Sequence, residues 1–254
     1  MGKFSGVLLA TDYDDTLYDS KGTISPENRA AIDRFLAEGG LFSISTGRSY
    51  INFVIQMERE KLPVNAPVIL SNGASIYDFA KEESLWLKFL PKRAPVHIAK
   101  LCAAFPELGF EAYHQDEVYA FRPNVITYRH LTRCRLRGRR RDIEDMPTPW
   151  LKVILQHPDT AVLQQAQEYL LSRWSDIYEA TFSKPPGGDG ERGQQGLFRP
   201  VAGPASGGGA EGSVLHRKRS QRHPHALRLG PIFRPRQQLP GGAGGRRSGL
   251  ALLR

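Results

Sequence analysis

The hexapeptide Asp12-Tyr13-Asp14-Asp15-Thr16-Leu17 carries the densest chemistry in this chain of 254 residues. Carboxylates at alternate positions, with the backbone turning between them, can converge on one divalent cation, which offsets their repulsion and that of an incoming phosphate. In that arrangement Asp12 can attack phosphorus to give an aspartyl phosphate, while Asp14 protonates the leaving oxygen and then activates water. The plainer reading of the same six residues is an acidic turn that closes a strand. Their setting in the chain decides between the two.

Val7-Leu8-Leu9-Ala10-Thr11 is a continuous apolar run, the pattern of a strand buried on both faces of a parallel sheet. It puts the carboxylates at the carboxyl end of a strand, where ligands bind in open α/β sheets. Ser25-Pro26-Glu27 supplies an N-cap, a proline at the first helical position and an acidic first turn; Ile32, Phe35 and Leu36 share one face, and Gly39-Gly40 stops the helix. Residues 41–45 read as a second strand, the segment after Thr46 as a helix, and Val68-Ile69-Leu70 as a third strand. This alternation predicts an α/β fold, a doubly wound parallel (Rossmann-like) core.

From Ser75 the pattern changes. Ile76-Tyr77-Asp78 and Leu85-Trp86-Leu87 flank a polar turn and predict an antiparallel hairpin that opens a different layer. A helix over 96–105, strands within 109–121, a strand at 150–156, a helix at 161–174 and a strand at 177–182 follow. Three regions are therefore expected: the N-terminal part of the core at 1–77, an inserted α+β cap domain at 78–182, and a Gly/Pro/Arg-rich tail at 183–254, expected to be disordered.

Asp-x-Asp-x-Thr-Leu after an apolar strand resembles the first motif of the haloacid dehalogenase superfamily. Ser45-Thr46-Gly47-Arg48 resembles the second motif of its Cof-type branch, and Ser71-Asn72-Gly73-Ala74 resembles that branch's Asn-Gly-Ala signature. Singly, Thr46, Arg48 and Asn72 read as ordinary residues of strand-end turns; three motifs in order at three successive strand ends carry the resemblance, which runs to about residue 183. It implies a Mg2+-dependent phosphatase of a small phosphorylated metabolite. Asp12 is then the nucleophile and Asp14 the acid and base, both on the metal. Thr46 holds the phosphoryl group, with Gly47, Arg48, Asn72 and Gly73 around the substrate. The inserted unit fits the family's cap, which closes over the site and selects substrates.

Two departures stand out. Asp15 occupies a position where the superfamily most often has Gly, and reads as a cap for the following turn. After the cap, the family supplies a Lys and then a Gly-Asp-x-x-Asn-Asp segment. Here Lys184 is followed by Pro185-Pro186-Gly187, and Asp189 and Glu191 imitate the acidic motif only superficially. The net charge of +9 belongs to this same region: residues 184–254 hold 13 Lys and Arg against 3 Asp and Glu, which leaves 22 against 23 in the rest. They also hold 16 of the 25 glycines and 8 of the 18 prolines. Their abundance of residues with GC-rich codons is the pattern of the family's second half read in a shifted frame, which the nucleotide sequence tests. The chain then reads alternatively as an inactive, truncated or frame-disrupted relative.

A third reading, from another class, is a basic-tailed nucleic-acid-binding protein. Arg133-Cys134-Arg135-Leu136-Arg137-Gly138-Arg139-Arg140-Arg141 has no aromatic interleaving and reads as an exposed cap loop, so contact with nucleic acid is expected only as non-specific attraction to the tail. Cys102 and Cys134 lack the spacing of a zinc site or a disulfide framework, which makes the reducing cytoplasm the expected compartment. The apolar run at 7–10 is too short to span a bilayer, so no membrane partner is expected.

Overall fold

The computed structural model describes residues 2–18, 22–183 and 194–200. The first apolar run forms β1 (Leu8–Asp12). Ser25 then caps α1 (Pro26–Ala37), its side chain accepting from the Asn28 N–H, with Pro26 in the first turn where no intrahelical donor is needed. β2 (Leu41–Ser45), α2 (Tyr50–Glu60) and β3 (Val68–Leu70) follow, and β1, β2 and β3 are parallel neighbours in that order. Right-handed crossovers in a 1-2-3 order place both helices on one face of the sheet. Leu9, Phe42, Ile44, Val68 and Leu70 form that face's apolar layer, packed with Ile32 of α1 and with Phe53 and Met57 of α2. A fully buried side chain of this kind contributes about 1.5–3 kcal/mol.

The alternate residues of the strands face the other way. Leu8 is 40% exposed there, and β1 has a strand partner on one edge only among the described residues. The parallel strands are thus one wing of a doubly wound sheet, with β1 at its rim.

The hairpin is present as β4 (Ser75–Asp78) and β5 (Glu83–Leu87), but it does not open a new layer. β4 pairs antiparallel with β3, and β5 with β4, so both extend the first sheet. The polar and apolar alternation of a hairpin does not say which neighbour its outer strand takes. The change of sheet therefore falls after Leu87, not at residue 78.

The second sheet follows α3 (Ala94–Ala104). It contains β6 (Gly109–His114), β7 (Glu117–Phe121), β8 (Gly138–Arg140), β9 (Lys152–His157), β10 (Tyr178–Ser183) and β11 (Gln194–Pro200), in the order β10-β11-β9-β6-β7-β8. α4 (Val125–Arg133) lies between β7 and β8 in the chain, and α5 (Thr160–Trp174), capped by Asp159, between β9 and β10. Ala94, Ile98 and Leu101 of α3 and Leu163, Ala166 and Leu170 of α5 pack on Phe110, Ala112, Val153 and Leu155, the residues of one face. Tyr113, Val118 and Ile154 belong to the opposite face, where Leu131 of α4 and Ile51 of α2 meet them.

Two expectations change here. The basic stretch is not a plain loop, because Gly138–Arg140 forms an exposed strand parallel to β7, with Arg139 paired to Glu117 at 2.7 Å. The region read as tail from residue 183 contributes β11, inserted between β10 and β9. The rest of the Gly/Pro/Arg-rich stretch, with Lys184, Asp189, Glu191 and the segment whose codons a shifted frame would explain, lies outside the described residues.

Candidate active site

Asp12 stands opposite Ser45 across β1 and β2, and Ser45 opposite Ile69 across β2 and β3, so the carboxyl ends of the three parallel strands lie level. The turns after them are laced together by backbone hydrogen bonds. Thr46 N–H donates to the Ile69 carbonyl at 2.9 Å, Asn72 N–H to the Thr46 carbonyl at 3.1 Å, and Ser71 N–H to the Arg48 carbonyl at 2.8 Å. Gly47 leaves room for the Asn72 side chain, because a Cβ there would stand 2.7 Å from Asn72 Oδ1. Asn72 itself is left-handed (φ 55°, ψ 41°), a conformation that Asn tolerates better than most residues. Gly73 ends the turn, also at positive φ.

The hexapeptide turns tightly after β1. Tyr18 N–H donates to the Tyr13 carbonyl and Asp15 N–H to the Tyr18 carbonyl, at 2.8 and 2.9 Å. Asp15 takes φ 59°, which explains why Gly suits the position and why Asp, one of the few side chains at ease there, can replace it. Asp12 Oδ2 accepts from the Thr16 hydroxyl at 3.2 Å. Loss of water around the Asp12 carboxyl raises its pKa above the usual range. The Thr16 and Tyr13 hydrogen bonds act against that rise, while the Asp14 and Asp15 charges add to it.

Arg48 is the organiser. Its Nε and Nη2 donate to Asp14 Oδ2 and Oδ1 at 2.9 and 2.7 Å, a bidentate clamp, and Nη1 donates to Asn52 Oδ1 at 2.6 Å. Its guanidinium lies 5.4 Å from the centre of the buried Tyr13 ring. Thr46 is 3% exposed, and its Oγ1 accepts from the Arg48 backbone N–H at 3.2 Å. Asp14, Thr46, Gly47, Arg48, Asn72 and Gly73 are thus brought into one connected cluster, with Asp12 beside it through the strand register. A separate surface concavity, lined by residues of α4 and the turn before it, contains none of them.

One residue of this cluster was not read from the sequence. Lys152, on the second sheet and 4% exposed, donates from Nζ to the Gly47 carbonyl at 2.9 Å and lies 4.4 Å from the centre of the Tyr113 ring. The signal was present: a single Lys opens the otherwise apolar run Lys152-Val153-Ile154-Leu155. Burial pushes its ammonium down to about 8, against the nearby Cys134 and Glu111, which favour the charge.

A base whose pKa is lower folded than unfolded costs stability below the folded value, and the cost disappears as pH rises past the unfolded value near 10.4. The wild-type chain is therefore expected to gain stability relative to Lys152→Met between pH 7 and pH 10.5, by up to about 3 kcal/mol. Urea midpoints of the two chains across that range check it; a difference independent of pH contradicts it.

The sequence profile of haloacid dehalogenase-like hydrolases matches residues 9–188. The chain belongs to this family, in the Cof-type branch that its three motifs resemble. It is 39% identical over 70 residues to a 5-amino-6-(5-phospho-D-ribitylamino)uracil phosphatase of Bacillus subtilis, a match that covers 28% of this chain and 23% of that one. A Mycoplasma pneumoniae protein named as a phosphatase is 31% identical over 123 residues, covering 48% and 43%. The chain thus spans less than half the length of these relatives. Among solved structures, a haloacid dehalogenase-like hydrolase from Bacteroides thetaiotaomicron superposes with a TM-score of 0.63 at 19% identity, covering 78% of this chain and 72% of that one. A subclass IIB sugar phosphatase superposes at 0.60 and 16%, covering 76% and 70%. At these identities the structures establish the shared fold.

Proposed function

We propose that this protein is a Mg2+-dependent phosphatase that hydrolyses a small phosphorylated metabolite through an aspartyl phosphate on Asp12. The observation that carries the reading is the cluster at the strand ends, where the Asp14 carboxylate of the first turn is clamped by the Arg48 guanidinium of the second, beside the Thr46 hydroxyl, and the third turn is bonded to both Thr46 and Arg48 through its backbone. In this reading the Asp12 carboxylate attacks phosphorus and the ester P–O bond breaks, with Asp14 giving a proton to the leaving oxygen. Asp14 then takes a proton from the water that attacks the phosphoryl group, and phosphate and free Asp12 result. Thr46 keeps a hydroxyl proton to donate to the phosphoryl oxygens, since its oxygen accepts from the Arg48 N–H. Arg48 exchanges Asp14 for the substrate's phosphate, which frees Asp14 to act.

The donor set suits Mg2+, a hard cation commonly held by one or two carboxylates together with water and substrate phosphate. Asp12 and Asp14 are the residues that would hold it. No group of three or more His, Cys, Asp and Glu side chains placed for a metal occurs among the described residues. When bound, the ion offsets the charges of the carboxylates and of the phosphate. Because Arg48 clamps both oxygens of Asp14, metal loading and loosening of that ion pair go together.

We further propose that the second sheet with its helices acts as the cap, its Lys152 surface facing the Gly47 turn, and that the protein works in the cytoplasm. No helix among the described residues is long and apolar enough to cross a membrane. The test is phosphate release from a generic aryl phosphate by the full chain, with Mg2+ and after chelation. Release that requires the metal supports the reading.

A second reading, that this chain is an inactive relative, is favoured by the single strand partner of β1 among the described residues and by the missing counterparts in the sequence of the family's later Lys and acidic motif. A folded chain that releases no phosphate under any divalent cation establishes it.

A further inference from the structure

His130 lies in the last turn of α4 and Cys134 is the C-cap of the same helix, four residues on, so the two stand one turn apart. Cys134 Sγ lies 3.3 Å from His130 Nε2. The other ring nitrogen, Nδ1, lies 2.8 and 2.9 Å from the two carboxylate oxygens of Glu111. Glu111 is 0% exposed and is held further by the Tyr113 hydroxyl at 2.9 Å and by Gln156 Nε2 at 2.8 Å. These contacts form a thiol, imidazole and carboxylate relay on the face of the second sheet that meets α2. Asn52, which holds Arg48, also donates to the Cys134 carbonyl at 3.3 Å.

The groups facing the thiol are His130 on its own helix, Lys152 and Glu111 on the sheet, Tyr113 beside them and Arg48 from the first sheet's turn. Burial alone would raise the Cys134 pKa. The His130 hydrogen bond and the charges of His130, Arg48 and Lys152 outweigh it and hold the thiol below its ordinary value. Burial would also neutralise His130, but its bonds to Cys134 and Glu111 bring it up to about 9. The helix terminus is not the cause, because a C-terminus favours the imidazolium and opposes a thiolate. Cys134 is half-buried. Cys102 is an internal contrast: it is 2% exposed in the core on the opposite face, and burial pushes its thiol up to about 12.

We propose that Cys134 is a modification site, a sulfur paired with His130 in the relay to Glu111, that is oxidised by hydroperoxides and alkylated by small electrophiles more readily than an ordinary thiol. In the oxidation the sulfur attacks the distal oxygen of the hydroperoxide; the S–O bond forms as the O–O bond breaks. The sulfur loses two electrons and becomes a sulfenic acid. The departing alkoxide or hydroxide takes the proton of the His130 imidazolium, which solvent then restores. Since the chain's other cysteine is enclosed on the far face of the sheet, the sulfenic acid is left for an external thiol to capture.

The test uses the reduced full chain and mass spectrometry of peptides from a protease that spares arginine. With iodoacetamide, Cys134 is expected to react at least about ten-fold faster than Cys102, and its rate to fall clearly less between pH 8.5 and pH 6.5 than that of an ordinary thiol. An ordinary thiol loses about fifty-fold over that interval, and such a loss at Cys134 overturns the proposal. His130→Gln is expected to restore the ordinary profile. With hydrogen peroxide and dimedone, the adduct is expected on Cys134 and not on Cys102; no adduct on Cys134 also overturns it. The wild-type measurements decide the matter even if the His130 variant does not fold.

Discussion

Asp12→Asn is expected to lower phosphate release from an aryl phosphate by about three orders of magnitude or more, with the fold intact. The amide keeps the size of the carboxylate and can still meet the Thr16 hydroxyl, but it is a poor nucleophile and a neutral ligand. Asp12 is an exposed residue at the end of β1, outside the apolar core of the sheet. Circular dichroism and urea midpoints should therefore match those of the wild type while activity is lost. Activity within about ten-fold of wild type would remove Asp12 from the role of nucleophile.

Asp14→Asn is expected to lower turnover by about 100- to 10,000-fold, in the range of a lost general acid and base. Its effect should depend on the ester. A nitrophenolate leaves without much protonation, so the first step is spared and the loss falls mainly on hydrolysis of the phosphorylated Asp12; with an alkyl phosphate both steps suffer. Comparing the two substrates by rapid quench separates the roles. An equal, small loss with both esters would mean that Asp14 serves only to position Arg48, its partner in the bidentate clamp.

Much of the first sheet was legible in the sequence because its signals were local. The run before Asp12, the Ser25-Pro26 cap and the strand at 41–45 each fix an element within one turn or one strand, and each appears where its pattern puts it. The elements that were missed needed information from elsewhere in the chain. α4 begins Val125-Ile126-Thr127, a β-branched run with little helix preference of its own. The capping box between Asn124 and Thr127, with Leu131 turned towards Tyr113 and Ile154, makes it a helix. β8 is three exposed residues with no apolar pattern, and exists by pairing with β7. β11 carries Gln194, Gln195 and Gly196 and owes its place to neighbours on both edges.

The site shows the same division. Spacing along the chain placed Asp12, Asp14, Thr46, Arg48 and Asn72 at successive strand ends, and the register of the sheet brings those ends level. That Arg48 grips Asp14, and that Lys152 reaches Gly47 from the second sheet, are contacts across 34 and 105 residues. No periodicity within one element encodes them. The His130 and Cys134 pair could have been seen as an i, i+4 pair, but its partner Glu111 lies on a strand across the helix, and without that carboxylate the pair is unremarkable.

The most direct test of the proposed chemistry is to mix the full chain with Mg2+ and radiolabelled nitrophenyl phosphate, quench in acid within the first turnovers, and map the label. The account predicts an acid-stable, alkali-labile phosphoryl group on the peptide that carries Asp12, absent from Asp12→Asn and accumulating in Asp14→Asn. Phosphate release with no label on that peptide at any time, or no release from the folded chain, would contradict it.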